Sequence, residues 1–295
     1  MFDISSILIT GAQGQLGRAF QKVMPEAMLT SRFELDFSWK EEKLVSALQD
    51  LRPCAIIHTA AYTNVDGAES EQGTALHVNG TATGILVEYC RRNNIPIVYY
   101  STDYVFHSGS DRRTEEEVPN PQSVYGISKY IGELHVKTYE KGTVIRISSV
   151  FGDGKNFPRT MLKLSESLKE ISVVCDQIMR PTYAPDAAQA TFQLLKRYWM
   201  NGEWKVPSLI HMQNSGPGVT WADFARHLFS AMGKRIRIRE ITFDEYVRSH
   251  AGKHIAPRPA YSLFDLTVLD SLHTPLRNWV DALHEFCQSF KSPQQ

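Results

Sequence analysis

Short runs of consecutive apolar residues recur through the first half of the chain, each followed by a longer stretch with apolar positions at helical spacing. Ile7-Leu8-Ile9-Thr10, Ala27-Met28-Leu29-Thr30, Ala55-Ile56-Ile57-His58, Ile97-Val98-Tyr99-Tyr100 and Val144-Ile145-Arg146-Ile147 read as five strands. Unbroken apolar runs belong to strands covered on both faces. Helices are predicted over about 16–23, 41–51, 71–92 and 125–140, with Pro53 and Asn93-Asn94 closing the second and third. Strands alternating with helices imply a parallel sheet with right-handed crossovers, a doubly wound (Rossmann-like) α/β fold. Ligands of such folds sit at the carboxyl ends of the strands, so the residues there are the candidates for chemistry.

After Phe151 the rhythm changes. Loops carry Gly152-Asp153-Gly154, Arg180-Pro181, Gly216-Pro217-Gly218 and Pro257-Arg258-Pro259, between helices predicted near 157–169, 186–199, 221–232 and 276–290. This half reads as a smaller substrate-binding lobe. The division expected is a dinucleotide-binding domain over 1–152 plus about 181–199, with the lobe formed by 153–180 and 200–295. There is no internal repeat, low-complexity segment or flexible linker.

Composition narrows the class. The 295 residues are 42% hydrophobic and 22% charged, ordinary for a globular enzyme. The 32 basic residues balance 32 acidic ones, which speaks against a nucleic-acid partner. Cys54, Cys90, Cys175 and Cys287 are scattered, which fits reduced thiols and a cytoplasmic protein rather than a disulfide or zinc framework. Met1 to Ile9 lacks the basic start and apolar core of a signal peptide, and no apolar run approaches the roughly 18 residues of a membrane span. His250 and His254 share i, i+4 spacing, but Gly252 lies between them with no acidic ligand nearby; they read as loop histidines, and no metal site is expected. Trp199, Trp204 and Trp221 read as packing residues.

The first strand runs into Gly11-Ala12-Gln13-Gly14-Gln15-Leu16-Gly17. Glycines at this spacing, between strand and helix, let the backbone approach a pyrophosphate at a helix N-terminus. Gly11, Gln13, Gly14, Gln15, Leu16 and Gly17 are therefore cofactor candidates. The end of the second strand, Thr30-Ser31-Arg32, shows a hydroxyl and a guanidinium where NAD enzymes place an acid. Ser31 and Arg32 suit a 2′-phosphate, so NADPH is expected, with NADH as the alternative; Asp36 falls near the adenine.

Ketone reduction needs a proton donor, a group that tunes it and a group that holds the carbonyl. Tyr125-Gly126-Ile127-Ser128-Lys129 supplies the first two, because i and i+4 share a helix face. Lys129, with oxidised nicotinamide, is expected to lower the Tyr125 phenol below its usual pKa of about 10, and Lys129 to bond the nicotinamide ribose. Ser101-Thr102-Asp103, expected just after the fourth strand, offers Thr102 for the carbonyl. Ser101 and Asp103 read equally well as strand-end or loop bonding residues.

With these motifs in place the chain resembles the dTDP-4-dehydrorhamnose reductase family of extended short-chain dehydrogenases. The resemblance rests on Leu8 to Gly17, on His58-Thr59-Ala60-Ala61-Tyr62-Thr63-Asn64-Val65-Asp66, on Ser101 to Phe106 and on Tyr125 to Lys129. It continues through Asn156-Phe157, Asp176-Gln177, Pro181-Thr182-Tyr183 and Arg258-Pro259. It implies reduction of the 4-keto group of dTDP-4-dehydro-L-rhamnose by NADPH, with Thr102, Tyr125 and Lys129 as catalytic residues. It also implies Ala60, Ala61, Tyr62 and Asn79 at the cofactor. Thr102, Asp103, Tyr104, Asn156 and Arg258 would lie at a nucleotide-sugar. Some relatives form a homodimer linked through Mg2+; no residue here is assigned to either. Departures fall on the substrate side: Met179 where glycine is usual, His107-Ser108-Gly109 for an acidic or amide residue and glycine, and Ser148-Ser149-Val150 for Thr-Ser-Trp. They leave the sugar open.

Two other readings compete. An epimerase or dehydratase of the same superfamily is one, and dehydratases carry an acid after Thr-Asp, where this chain has Tyr104. A non-catalytic, NADP-binding regulatory subunit is the other, and the intact Thr102, Tyr125 and Lys129 count against it.

Overall fold

The computed structural model describes residues 3–107, 109, 112–200 and 203–290. Met1 and Ser108, which entered the sequence reading, lie outside them. The five expected strands form β1 (Ile7–Thr10), β2 (Met28–Thr30), β3 (Ala55–His58), β4 (Ile97–Thr102) and β5 (Gly142–Ile147). A sixth, Leu209–His211, pairs in parallel with β5. The sheet runs Leu209–His211, β5, β4, β3, β1, β2. All its pairings are parallel. The sixth strand comes from the segment expected wholly in the second lobe, which corrects that boundary. It is only three residues long, too short to show a period.

Alternate residues explain the unbroken apolar runs. Ile7 and Ile9 enter the core on one face and Leu8 the core on the other. The first core includes Leu16, Ala19 and Phe20 of α1 (Gln15–Val23). The second includes Leu44 and Leu48 of α2 (Glu41–Leu51).

Two expectations change here. Thr102 does not follow β4 but ends it, because Ser101 and Thr102 extend the pairing to Arg146 and Ile147. The long helix over 71–92 is also divided. After α3 (Val65–Ala68), α4 (Gln72–Leu76) passes into a π-turn at His77–Thr81, and α5 (Ala82–Asn93) follows. The Asn79 carbonyl is drawn aside there by the hydroxyls of Thr83 (2.7 Å) and Tyr99 (3.2 Å).

The helix α6 (Val124–Lys137) covers β4 and β5. Beyond it, α7 (Phe157–Leu164) is shorter than expected, and α8 (Ala184–Tyr198) returns to pack on α1. Ala184, Ala187, Ala188, Leu194 and Leu195 of α8 lie in the core with Phe20. A separate core gathers Phe151, Met161, Phe224, Trp279 and Phe286. Beside it a small sheet joins Val219–Thr220, Ile178–Met179 and Tyr261–Ser262. Among the described residues, no helix is long and apolar enough to cross a membrane.

Candidate active site

A groove runs along the carboxyl ends of the sheet. Its inner part, about 470 Å³, is walled by Gln13, Gly14, Gln15 and Leu16 on one side and by Thr102, Asp103, Tyr104, Tyr125 and Lys129 on the other. Its outer part, about 590 Å³, is lined by Gly11, Ser31, Arg32, Asp36, Ala60, Ala61 and Tyr62. The two parts share Gln13, Gly14, Thr59, Ala61 and Thr63. Residues expected to meet a dinucleotide are thus distributed along one surface. Gly17 instead lies buried in the first turns of α1.

The glycine loop is built for close approach. Gly11 has φ +71°, and a Cβ there would stand 2.8 Å from the Ala60 backbone. Only glycine takes that conformation at no steric cost. Gly14 begins α1 without any side-chain cap, so the first N–H groups of the helix face the groove for an incoming acceptor.

The end of β2 carries one feature beyond Ser31 and Arg32. Thr30-Ser31-Arg32 contains no acid, yet the chain folds one back onto it. Glu34 Oε2 accepts the Ser31 backbone N–H at 2.8 Å and the Ser31 hydroxyl at 2.6 Å. A three-residue reading of the strand end misses an acid arriving from the next turn.

Across the groove, α6 starts with Ser123 as its cap, whose hydroxyl accepts the Gly126 N–H. Gly126 lets the helix touch the turn after β4: a Cβ would stand 2.2 Å from the Tyr104 carbonyl oxygen. This contact brings Tyr125 to Thr102, with its ring edge-on to Tyr104 at 5.4 Å. Tyr125 and Thr102 both line the inner groove. Thr102 donates to Asp103 Oδ1 at 3.0 Å and accepts the Tyr104 N–H at 3.2 Å.

Lys129 is 3% exposed and its ammonium sits over the Tyr99 ring at 3.9 Å. Burial pulls it down to about 7, against the raising effect of Glu133. Within the protein alone, Lys129 does not lower the Tyr125 phenol. Burial pushes Tyr125 up, partly offset by the neighbouring Thr102 hydroxyl. The cation expected to lower it is itself only partly charged near neutral pH. For a proton donor the outcome is favourable, because the phenol stays protonated.

Lys129 also carries a stability signature. Below about pH 7 it is charged in both folded and unfolded chains, and the burial cost is constant. Between about 7 and the unfolded value of 10.5 only the unfolded chain holds the proton, so stability rises with pH. Urea unfolding of wild type and Lys129→Met is expected to show the wild type gaining about 2 kcal/mol on the variant from about pH 7 to 9. A gap that stays constant would mean Lys129 titrates normally.

Asn79 is 1% exposed and lies behind the groove wall. Its amide accepts the Tyr62 N–H at 2.8 Å and donates to the Tyr62 carbonyl and the Ser128 hydroxyl. It holds the outer wall to the residue preceding Lys129. Asn156 is likewise turned inward. It caps α7 through Arg159 N and donates to Gln15 Oε1 and to the Gly152 and Gly154 carbonyls. Its polar groups are occupied inside the protein, contrary to its expected place at the substrate.

Arg258 does reach the cleft. It lines a smaller cavity of about 170 Å³ next to the groove, with Tyr104, Gln177, Met179, Trp221 and Ser262. One arm of its guanidinium pairs with Asp66 at 3.0 Å, and its Nε is buried without a hydrogen-bond partner. Asp103 joins both cavities, since Ser262 donates to its Oδ2 at 2.6 Å. Burial pushes Asp103 up to about 6, against the lowering bonds from Ser262 and Thr102. Trp221, read from sequence as packing alone, walls the small cavity as well as touching Phe157. Gln177 had a signal in the Asp176-Gln177 motif, but Ser262 had none.

His250 caps its helix, close to the Tyr246 carbonyl. Among the described residues, no group of three His, Cys, Asp or Glu side chains is placed to hold a metal.

The arrangement has counterparts among known proteins. A dTDP-4-dehydrorhamnose reductase from Aggregatibacter actinomycetemcomitans is 35% identical over 271 residues, covering 90% of this chain and 92% of that protein. The spore coat polysaccharide biosynthesis protein SpsK of Bacillus subtilis is 31% identical over 98% of this chain and 99% of its own length. The crystal structure of dTDP-4-dehydrorhamnose reductase from Bacillus anthracis in complex with NADP superposes with a TM-score of 0.84 at 32% identity, covering 96% of this chain and 98% of that one. Residues 5–292 match the family model described as the RmlD substrate binding domain, and this chain belongs to that family.

Proposed function

We propose that this chain reduces the 4-keto group of dTDP-4-dehydro-L-rhamnose, or of a closely related nucleotide-activated deoxysugar, using NADPH. One observation carries the reading: a protonated Tyr125 shares the groove lining with Thr102 and Lys129, across from the glycine-loop start of α1. The groove fits a dinucleotide, with its pyrophosphate at Gly11 to Gly14 and its adenosine end at Ser31 to Asp36. The cofactor supplies hydride.

The rest is the work of side chains. Tyr125 donates its phenolic proton to the alkoxide formed at the carbonyl oxygen. Thr102 orients that oxygen, in competition with Asp103 for its hydroxyl proton. Lys129, when charged, stabilises the phenolate left behind and reaches the nicotinamide ribose. Arg258, with an unpartnered Nε, suits the sugar diphosphate.

In this reading residues 1–152 and 181–199, with the Leu209–His211 strand, bind the cofactor and the remainder binds the sugar nucleotide. The scattered positions of Cys54, Cys90, Cys175 and Cys287 fit a cytoplasmic protein.

The test is NADPH oxidation with dTDP-4-dehydro-L-rhamnose generated in situ. Turnover with formation of the 4-hydroxy sugar is expected. NADPH binding without turnover on any 4-keto-6-deoxy sugar nucleotide would sink the reading.

A further inference from the structure

We propose that Glu34 is an internal competitor for the adenosine 2′-phosphate and sets how far this chain discriminates NADPH from NADH. The inference rests on the groove being the cofactor site.

Ser31 offers two donors at the end of β2, its backbone N–H and its hydroxyl. Both lie where an adenosine 2′-substituent would arrive, since Ser31 and Arg32 line the outer groove. Both are taken by one oxygen of Glu34, at 2.8 and 2.6 Å. Those Ser31 bonds hold the Glu34 carboxyl below its usual range, so it is an anion at neutral pH. An anion therefore already occupies the donors a phosphate would use. Glu34 also lies about 20 residues past the glycine loop, where dinucleotide sites carry an acid for the ribose hydroxyls.

The two cofactors meet this arrangement differently. A 2′-phosphate must displace Glu34 from Ser31 and then face its charge at short range. Exposed Arg32 attracts the same phosphate. A ribose 2′-hydroxyl is neutral and can donate to Glu34, so NADH meets no such competition. Arg32 and Glu34 thus act in opposite directions on one atom group. Removing Glu34 leaves Ser31 and Arg32 both free for the phosphate.

The experiment uses Glu34→Ala and Glu34→Gln in the full chain. Dissociation constants for 2′,5′-ADP and 5′-ADP are measured by calorimetry, and kcat/KM for NADPH and NADH alongside. Glu34 is exposed, so the fold is expected to survive both changes. Glu34→Ala is expected to raise the preference for 2′,5′-ADP over 5′-ADP about tenfold or more, the scale of a charge-assisted hydrogen bond. Glu34→Gln should fall between, because it loses the charge but keeps an acceptor for Ser31. The NADPH/NADH ratio should move in parallel. A preference that stays flat or falls in Glu34→Ala, with both nucleotides bound, would overturn the role of Glu34 alone. Wild-type protein that binds neither nucleotide would overturn the cofactor reading and this inference together.

Discussion

Tyr125→Phe is expected to lower kcat by about 10²–10⁴-fold while the dissociation constant for NADPH stays within about twofold. The substitution keeps the ring that packs edge-on against Tyr104 and removes only the hydroxyl. Burial keeps that hydroxyl protonated through the neutral range, so it is a ready donor to an alkoxide and a poor base. Reduction should accordingly hold its rate as pH falls towards 7, where Lys129 gains its proton, and decline as pH rises above it. Steady-state kinetics and a fluorescence titration of NADPH measure the two halves. Equal losses in kcat and cofactor affinity would recast Tyr125 as a structural residue.

The second large effect lies beneath the site. Glu133→Gln is expected to cost about 3–5 kcal/mol of folding stability. Glu133 and Arg146 are 0% and 1% exposed at their side chains, and they meet through two parallel bonds of 2.9 and 2.7 Å. His211 completes the cluster. Burial, then the Arg146 charge, brings it down to about 3, so its ring is neutral. Its Nε2 then accepts from Arg146 at 3.2 Å while Nδ1 donates to the Arg113 carbonyl. Removing the carboxylate leaves the buried guanidinium without its paired anion. Urea denaturation measures the loss. Replacing the pair by Glu133→Leu with Arg146→Met should recover most of it, because desolvation of both charges is relieved together. Glu133→Gln should also move the Lys129 titration downward, since Glu133 is what raises it. A loss below about 1 kcal/mol would place this pair with surface bridges.

These residues show what the chain's letters reveal. Tyr125, Lys129 and Glu133 are spaced four apart, so one helix face carries donor, tuner and anchor. The first two are legible from that spacing, and Glu133 could have been. Arg146, a charge inside the apolar run Val144 to Ile147, was itself a sign that a buried partner must exist. The glycine loop is legible because strand, turn and helix are consecutive. Asp66 and Arg258 stand 192 positions apart, and only the closed fold pairs them. Asn156 misled for a related reason. A motif identifies a residue that matters without saying whether it faces a ligand or the protein, and here its amide faces the protein. The acid at β2 was hidden by one turn of chain.

The π-turn at His77–Thr81 has one more consequence. A π-turn holds one residue more than the α-helical turn it replaces. Deleting any residue between 77 and 81 would let the backbone relax into an unbroken helix, an ordinary gain in regularity. The cost would fall elsewhere: Asn79 would rotate away from Tyr62 and Ser128, and the two banks of the groove would lose their common tie. The site is thus sensitive to chain length in this turn as well as to the amide of Asn79. Thr81, the last residue of the turn, is exposed and open to exchange.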